Sequence, residues 1–585
     1  MCGIFCYIGK KDIGAEIVIQ GLKHLEYRGY DSWGIAYLHE AQLKIHKAVG
    51  KIVNEPSFPK TTIAIGHNRW ATHGGVTEAN AHPHSDCTNT IAVVHNGIIE
   101  NYQELRDMLI EKGHAFKSET DTEVFAHLLE EYSGEGFEAS VKKAFKEVKG
   151  RNGFVILHKF EKKLIGIRNG SPMIIGVGEH EYFISSDTSA FLPYTQKVIF
   201  LDDNQYIVLT ENGATCFDLA HEKPIHPHIQ TINWSVDQAQ KGEYDHFTLK
   251  EIMEQSKTVY AASSQNKKDI LEFAESIKKA FGSYIVACGT AGHAALYGTY
   301  AFSRIANRHI NYSVGSEFEI CQRFITEKSL IIAVSQSGET ADTLMAIEEA
   351  KTKKAKTAAI VNVMGSTLMR NVDISFLSHA GPEISVVSTK AFISQMSVLL
   401  LLAYASAGKY EEGKQLLEKT SEELAKMLNP TVLANIKQIA LKLKNTQHIY
   451  CIGKGQNYPI AMETALKIKE ASYIHAEGFA AGELKHGVIA LIEKGTPCIV
   501  LFANDEDKAY SIGSAMEIKA RGGYIIGIGP QYNEVFDEFI QTPDIPEASP
   551  LVNTPVIQLI AYYLAVARGN NPDRPRNLAK SVTVK

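Results

Sequence analysis

The second half of this chain repeats itself. The strand-turn-helix pattern SYIVACGTAGHAALYGTYAF, starting at Ser283, is echoed by QHIYCIGKGQNYPIAMETALKIKE, starting at Gln447. SLIIAVSQSGETADTLMAIEEAKTKKAKTAAIV is echoed in the same order by TPCIVLFANDEDKAYSIGSAMEIKARGGYIIGI. Apolar runs such as SYIVAC, LIIAVS, TAAIVNV and ISFLS alternate with long amphipathic stretches, the pattern of βαβ units around a parallel sheet. A duplicated unit of this kind implies two α/β domains in tandem. The copies differ in one loop, where the hydroxyl-rich SQSGET of the first becomes ANDEDK in the second.

The first half follows another pattern. From Cys2 to about His221, short β-type runs (TTIAIGHNRW, TIAVVHNGII, NGFVILHKF, YFISSD, VIFLDD, YIVL) surround two helical stretches, near Ala15–Leu25 and Asn101–Lys112. Antiparallel sheets with helices packed on them are expected. Single cores stop growing at roughly 250–300 residues, so a chain of 585 residues should divide. Expected domains are 2–221, a polar linker 222–245, α/β domains 246–428 and 429–570, and a tail 571–585. Lys+Arg at 60 against Asp+Glu at 66, without long runs of either sign, lacks the footprint of a nucleic-acid or membrane-surface binder. The apolar stretch Met396–Ala405 is about half the roughly 20 residues needed to span a bilayer, and no signal-peptide pattern opens the chain. A cytoplasmic protein is expected. The eight cysteines contain no C-x-x-C pair and no Cys/His zinc spacing, so neither disulfides nor a metal are expected.

Three places carry chemistry. Cys2 becomes the first residue once Met1 is removed, and its α-amino group, with an ordinary pKa of about 7.7–8.0, can then serve as base for its own thiol. Ser335-Gln336-Ser337-Gly338-Glu339-Thr340 follows an apolar run and opens a helix, an arrangement that offers N–H groups and hydroxyls to a phosphate; a helix cap would need only a single Ser, so three hydroxyls plus Gln336 within six residues favour phosphate. No Walker lysine follows it, which argues against a nucleoside triphosphate. Glu463, Lys467 and Glu470 share one helix face, a spacing that usually means a solvated salt-bridge stripe.

Six motifs in order, MCGIFCYIG, EYRGYDSWG, HNRWATHG, AHPH, HNGIIEN and SETDTE, are similar to those of the N-terminal-nucleophile glutamine amidotransferases. Over nearly its whole length the chain resembles the glutamine:fructose-6-phosphate aminotransferase family. The resemblance implies an α+β glutaminase domain of layered antiparallel sheets followed by two tandem α/β sugar-isomerase domains. It implies that Cys2 attacks glutamine while Asn96 and the Gly97 N–H hold the oxyanion, that Arg69 and Asp121 take the α-carboxylate and α-ammonium, and that Trp70, Thr72 and His73 belong to the same loop. Asn-Gly alone would equally read as a hairpin turn. For the sugar phosphate it implies Thr290, Ser335, Gln336, Ser337, Thr340 and Ser388. For the isomerisation it implies proton transfer by Glu470 with Lys467 assisting, ring opening by His486 donated across a homodimer, and a Schiff base on Lys580 in the tail. No cofactor or metal is implied.

The chain departs from the family at Ala291, Val387 and Lys585, where Ser, Ala and an acidic end are usual. Two other readings stand beside this one: an amidotransferase acting on phosphoribosyl pyrophosphate, which would need an acidic pair in the second half whereas Asp202-Asp203 lies in the first, and a sugar-phosphate sensor for which Cys2, Glu470 and Lys580 are dispensable.

Overall fold

In GIFCYIG, residues 3–9, every position is buried, and a strand can be buried on both faces only if something covers each. The computed structural model, which describes residues 2–221, 223–232 and 240–582, shows what does. Gly3–Gly9 lies inside an eight-stranded sheet ordered Gln230–Thr231, Lys197–Phe200, Ile174–Val177, Glu181–Ser185, Gly3–Gly9, Ile63–Arg69, Ser32–His39, Gln42–Val49. Ile4, Cys6 and Ile8 point inwards onto a second, seven-stranded sheet and share a core with its Val94, Val155 and Ile207. Phe5 points outwards onto the helix Gly14–His24, where a side chain at Gly21 would collide with its ring at 2.3 Å. Both sheets are antiparallel.

The sequence pattern points to two helices in this half, but four α-helices are present among its described residues. The helices Tyr102–Glu111, Thr122–Glu131 and Phe137–Glu147 cover the outer face of the second sheet. Thr122–Glu131 carries polar residues at 122, 123, 127, 130 and 131, but the first three of these are buried with the rest of its first eight residues.

Two parallel five-stranded sheets make up the rest. The first runs Asn311–Val314, Ser283–Ala287, Leu330–Ser335, Lys356–Val361, Ile374–Leu377; the second runs His475–Ala480, His448–Gly453, Pro497–Leu501, Tyr524–Gly529, Glu538–Gln541. Numbered within each copy, both orders are 2-1-3-4-5, so the sequence echo is an echo of topology. A continuous core joins the two, filled by the helices Gly289–Ala306, Lys390–Ser406, Tyr458–Ser472 and Ser549–Ala567. Lys390–Ser406, which contains Met396–Ala405, is a buried core helix as its composition suggests. Ser549–Ala567 is a longer apolar helix than that one, long and apolar enough to cross a membrane by composition, yet it is mostly buried in this core.

The chain divides into two compact units, Met1–Ala239 with Ala579–Lys585, and Gln240–Leu578. Within the expected linker, Glu222 and positions 233–239 lie outside the described residues, while Pro224–Ile225 and Gln230–Thr231 add short edge strands to the first unit's sheets. The tail segment 571–578 is pinned rather than frayed. The Asp573 carboxylate accepts from the N–H groups of Phe247 (2.9 Å) and Thr248 (2.7 Å), and the Asp573 carbonyl accepts the Val386 N–H at 2.9 Å. Lys585 lies outside the described residues.

Candidate functional site

Cys2 precedes the central strand, and its Sγ accepts a hydrogen bond from the Trp70 N–H at 3.3 Å. Burial pushes the thiol up from its ordinary range against the pull of nearby positive charge, including Arg69 and Arg28. Thiolate formation therefore needs a base close at hand. The Cys2 carbonyl is held by Arg28 Nε (3.1 Å) and Asn96 Nδ2 (3.3 Å); Asn96 also donates to Ser186 Oγ at 2.8 Å, and Ser186 Oγ accepts the Ile4 N–H at 2.8 Å. Arg28 pairs in turn with Asp187 at 3.6 Å. Sequence patterns single out none of Arg28, Ser186 and Asp187, because each acts through a contact distant in the chain.

Asn96 and Gly97 do not form a hairpin turn. They end the strand Ile91–Gly97, opposite Gly153 and Asn152. Gly97 has φ +135°, and a side chain there would meet the Arg151 carbonyl at 2.2 Å, so only glycine fits. Beneath this strand end lies a dry group of histidines. His67 stacks on His82 at 4.0 Å and its Nε2 is 2.9 Å from the His95 carbonyl. Burial depresses His67 to about 3 and holds His82, His84 and His95 below their ordinary value, so these rings are neutral supports.

Arg69 ends the strand Ile63–Arg69 and turns its guanidinium onto the carbonyls of Gly75 (2.9 Å), Gly74 (3.1 Å) and His73, which curls the Trp70–Gly75 loop around it. Thr72 is exposed, and His73 packs edge-on against Tyr102. Asp121, at the start of helix Thr122–Glu131, accepts the Ile99 N–H at 2.8 Å.

In the second unit the loops that follow strands 1 and 3 of the first parallel sheet meet at the point where strand order reverses, the usual ligand crevice of an open α/β sheet. Thr290 opens the helix Gly289–Ala306 after strand 1, and Ser335–Thr340 follows strand 3. The loop is preorganised. Ser335 Oγ accepts the Gly338 N–H and lies 3.0 Å from Thr340 Oγ1; Gly338, at φ +66°, packs so close to Ser366 that a side chain would clash at 2.1 Å; and the Glu339 carboxylate turns away to accept the Thr367 N–H at 2.7 Å. That removes the one negative side chain from the cradle. The Gln336 carbonyl accepts from Asn362 N–H. Of the departures, Val387 is buried in the core and Ala291 packs against it.

Glu463 and Lys467 are not a solvated stripe. They are 0% and 1% exposed. Lys467 Nζ reaches Glu463 at 3.5 Å and Glu470 at 2.5 Å, while Glu463 Oε2 lies 2.7 Å from His293 Nδ1 on the helix that Thr290 opens. Burial opposes the Lys467 ammonium, but Glu470, Glu463 and Glu383 outweigh it and hold its pKa above the ordinary range. Glu383 also accepts from Ser388 Oγ at 3.1 Å and from the N–H groups of Thr389 and Ala391. His293, on the helix that Thr290 opens, is thus joined through Glu463 to Lys467 and Glu470, and Glu383, which holds Ser388, adds negative charge that Lys467 feels. His293 and Glu383 carry no sequence signal of their own; Glu463 does, through its i,i+4 spacing to Lys467.

Tail residues Arg576 and Leu578 line a cleft with Glu470, Tyr473 and Ile474, and the Arg576 guanidinium stacks over Tyr473 at 4.3 Å. Lys580 is half-buried and groups with the first unit. His486 is exposed at the end of a short 3-10 segment, Ala481–His486.

The glutamine amidotransferase domain family matches residues 67–193, and the SIS domain family matches 276–405 and 442–568. Glutamine–fructose-6-phosphate aminotransferase (isomerizing) of Pyrococcus horikoshii is 43% identical over 599 residues, covering 100% of both chains. The same-named protein of Clostridium perfringens is 41% identical over 613 residues, again covering 100% of both. Among solved structures, the C-terminal domain of glucosamine-fructose-6-phosphate aminotransferase from Francisella tularensis matches 57% of this chain and 100% of its own, at 32% identity and a TM-score of 0.52. With an amidotransferase domain ahead of two SIS domains and relatives this similar from end to end, the chain belongs to the glutamine–fructose-6-phosphate aminotransferase (isomerizing) family.

Proposed function

We propose that this protein converts glutamine and fructose 6-phosphate to glutamate and glucosamine 6-phosphate, with ammonia passed internally from one site to the other. The observation that carries the reading is the presence, in one chain of this family, of a residue-2 thiol whose main chain is held by Asn96, a hydroxyl-lined loop at a strand-order reversal, and, in the same unit as that loop, the ion-paired group Glu463, Lys467 and Glu470.

Removal of Met1 leaves the Cys2 α-amino group next to its own thiol. As a base it offsets the burial that disfavours the thiolate, and the attack on the glutamine amide follows. Asn96 Nδ2 and the Gly97 N–H then meet the oxyanion, with the amide hydrogen now directed at the Cys2 carbonyl the one free to turn. Glutamine's carboxylate exchanges the neutral carbonyls on Arg69 for a charged partner, a bond roughly twice as strong. Its α-ammonium goes to Asp121, and Trp70, Thr72 and His73 close over it.

For the sugar, Ser335, Gln336, Ser337 and Thr340 take the phosphate, joined by Thr290 and Ser388. Lys580 forms the Schiff base with the open-chain ketose, His486 of a second copy opens the ring, and Glu470 moves a proton between C1 and C2 while Lys467, held charged by its neighbours, acts at a sugar hydroxyl. The domain limits 2–221, 246–428 and 429–570, the tail 571–585, the homodimer and a cytoplasmic location belong to the same proposal. Incubating the purified protein with glutamine and several hexose phosphates, and identifying products by mass spectrometry, tests it. Glucosamine 6-phosphate formed only from fructose 6-phosphate is expected; binding of the sugar phosphate without any amino sugar would favour the sensor reading.

A further inference from the structure

Away from the thiol and the sugar loop, four donor side chains converge in the first unit. Cys87 sits in a turn shaped by Asp86, whose Oδ1 accepts the N–H groups of Thr90 (2.7 Å) and Ile91 (2.8 Å). His114 lies just beyond helix Tyr102–Glu111, and His127 and Glu130 sit three residues apart on helix Thr122–Glu131, hence on one face. Their donor atoms all fall within 4.8 Å of one another. Cys87 Sγ is 3.6 Å from His127 Nδ1 and 3.9 Å from His114 Nδ1; Glu130 Oε2 is 3.2 Å and 3.0 Å from the same two nitrogens. Metal–donor bonds of roughly 2.0–2.3 Å in a tetrahedron set donors about 3.3–3.8 Å apart, and the distances here, 3.0–3.9 Å, lie within a few tenths of an ångström of that range.

The far side of each imidazole is also arranged. His127 Nε2 lies 3.6 Å from Glu123 Oε1, and His114 Nε2 lies 3.3 Å from Glu131 Oε2. Metal-bound histidines commonly give their second N–H to a carboxylate, as His114 can to Glu131; His127 Nε2 has the Glu123 carboxylate beside it, just beyond hydrogen-bond distance. His127, the deepest of the four, is 1% exposed, so water has little access to this face of the cluster. Main-chain N–H groups already support the anionic donors: Cys87 N–H donates to Glu130 Oε2 at 3.1 Å and Ala115 N–H to Cys87 Sγ at 3.4 Å.

We propose that Cys87, His114, His127 and Glu130 bind one divalent transition metal, zinc by the chemistry of the donor set. A thiolate, two imidazoles and a carboxylate form a borderline-soft tetrahedron whose two negative charges balance Zn²⁺, and four protein donors leave no open position, so the ion is structural. On binding, the Cys87 thiol gives up its proton to solvent as the S–Zn bond forms. The ion ties the Cys87 turn to helix Thr122–Glu131, where Glu123 also holds the N–H groups of Lys117 (2.8 Å) and Ser118 (2.7 Å), the approach to Asp121. The sequence offers no zinc spacing because Cys87 stands 27 residues from His114 and 40 from His127, and only the fold joins them.

Full-length protein stripped with a chelator and kept reduced is titrated with Co²⁺. One equivalent is expected to give the intense visible absorption of tetrahedral cobalt with a near-ultraviolet thiolate band, both erased by one equivalent of Zn²⁺. Cys87→Ser should remove the thiolate band, Cys2→Ala should leave it, and Glu131→Gln should weaken Zn²⁺ binding about 10- to 100-fold. Far-UV circular dichroism checks each variant, and Glu131→Gln carries the test if Cys87→Ser misfolds. No tetrahedral band in the parent protein, a thiolate band that survives in folded Cys87→Ser or vanishes in Cys2→Ala, or unchanged Zn²⁺ affinity in Glu131→Gln would overturn the assignment.

Discussion

The side-chain amide of Asn96 donates to the main-chain carbonyl of Cys2 at 3.3 Å, so the group expected to hold the oxyanion also positions the nucleophile's own backbone. Asn96→Ala should lower kcat for glutamine hydrolysis by about 10²- to 10³-fold, the usual cost of one oxyanion donor. Glutamate release measures it. Binding of fructose 6-phosphate should be unaffected, and a near-normal kcat would remove Asn96 from this role.

An uncleaved extension ahead of Cys2 converts its amine to an amide and takes away the proposed base. Glutamine hydrolysis should stop while the circular dichroism spectrum stays unchanged. Hydrolysis at the parent rate by an N-terminally extended protein, verified intact by mass, would refute the amine as base.

Ser337→Ala with Thr340→Ala should weaken fructose 6-phosphate by about 0.5–1.5 kcal/mol per neutral hydrogen bond lost, and more where the partner is charged. Calorimetry should find glutamine binding unaltered. Equal weakening of both substrates would indicate a folding defect.

Borohydride added with fructose 6-phosphate should trap a hexose-phosphate adduct on Lys580, located by peptide mass analysis. Lys580→Arg should abolish both adduct and amino-sugar synthesis and spare glutamine hydrolysis. An adduct confined to another lysine would contradict the Schiff-base assignment.

Acid should destabilise the first unit through its buried histidines. His67 falls from 6.5 to about 3 on folding because burial excludes its charged form, so the unfolded chain binds the extra proton. Stability then rises with pH: the contribution is complete above about 6.5 and is lost as pH falls towards about 3, at up to roughly 1.4 kcal/mol per pH unit per ring. His82 and His84 act in the same direction. Denaturant unfolding followed by tryptophan fluorescence reads this unit, since the three tryptophans stand at 33, 70 and 234. The midpoint should fall between pH 7 and pH 5, above the range where most carboxylates titrate; a flat profile would mean the rings are charged or hydrated.

Periodicity was enough to reveal the α/β duplication, the contrast between halves and the buried helix Lys390–Ser406, because each depends on neighbours one turn or one pleat away. It missed Thr122–Glu131, and it could not show that the polar Thr122, Glu123 and His127 of that helix are buried. It also left Glu463, Lys467 and Glu470 readable as a solvated stripe, since burial is decided by what packs on that face: here helix Gly289–Ala306, which brings His293.

What the sequence by itself determined is most of the strands, part of the helices and the motifs at their ends: a thiol at position 2, Asn-Gly, the hydroxyl loop and the repeated strand-turn-helix pattern. These are local, encoded in side-chain spacing and backbone preference. Tertiary structure alone decided which distant groups meet. It set Ser186 and Arg28 around Cys2, Glu463 against His293, Asp573 at the start of Phe247–Met253, and Cys87 against His114 and His127. Such contacts arise only when cores close and desolvated polar groups must find partners, and no spacing along the chain records them.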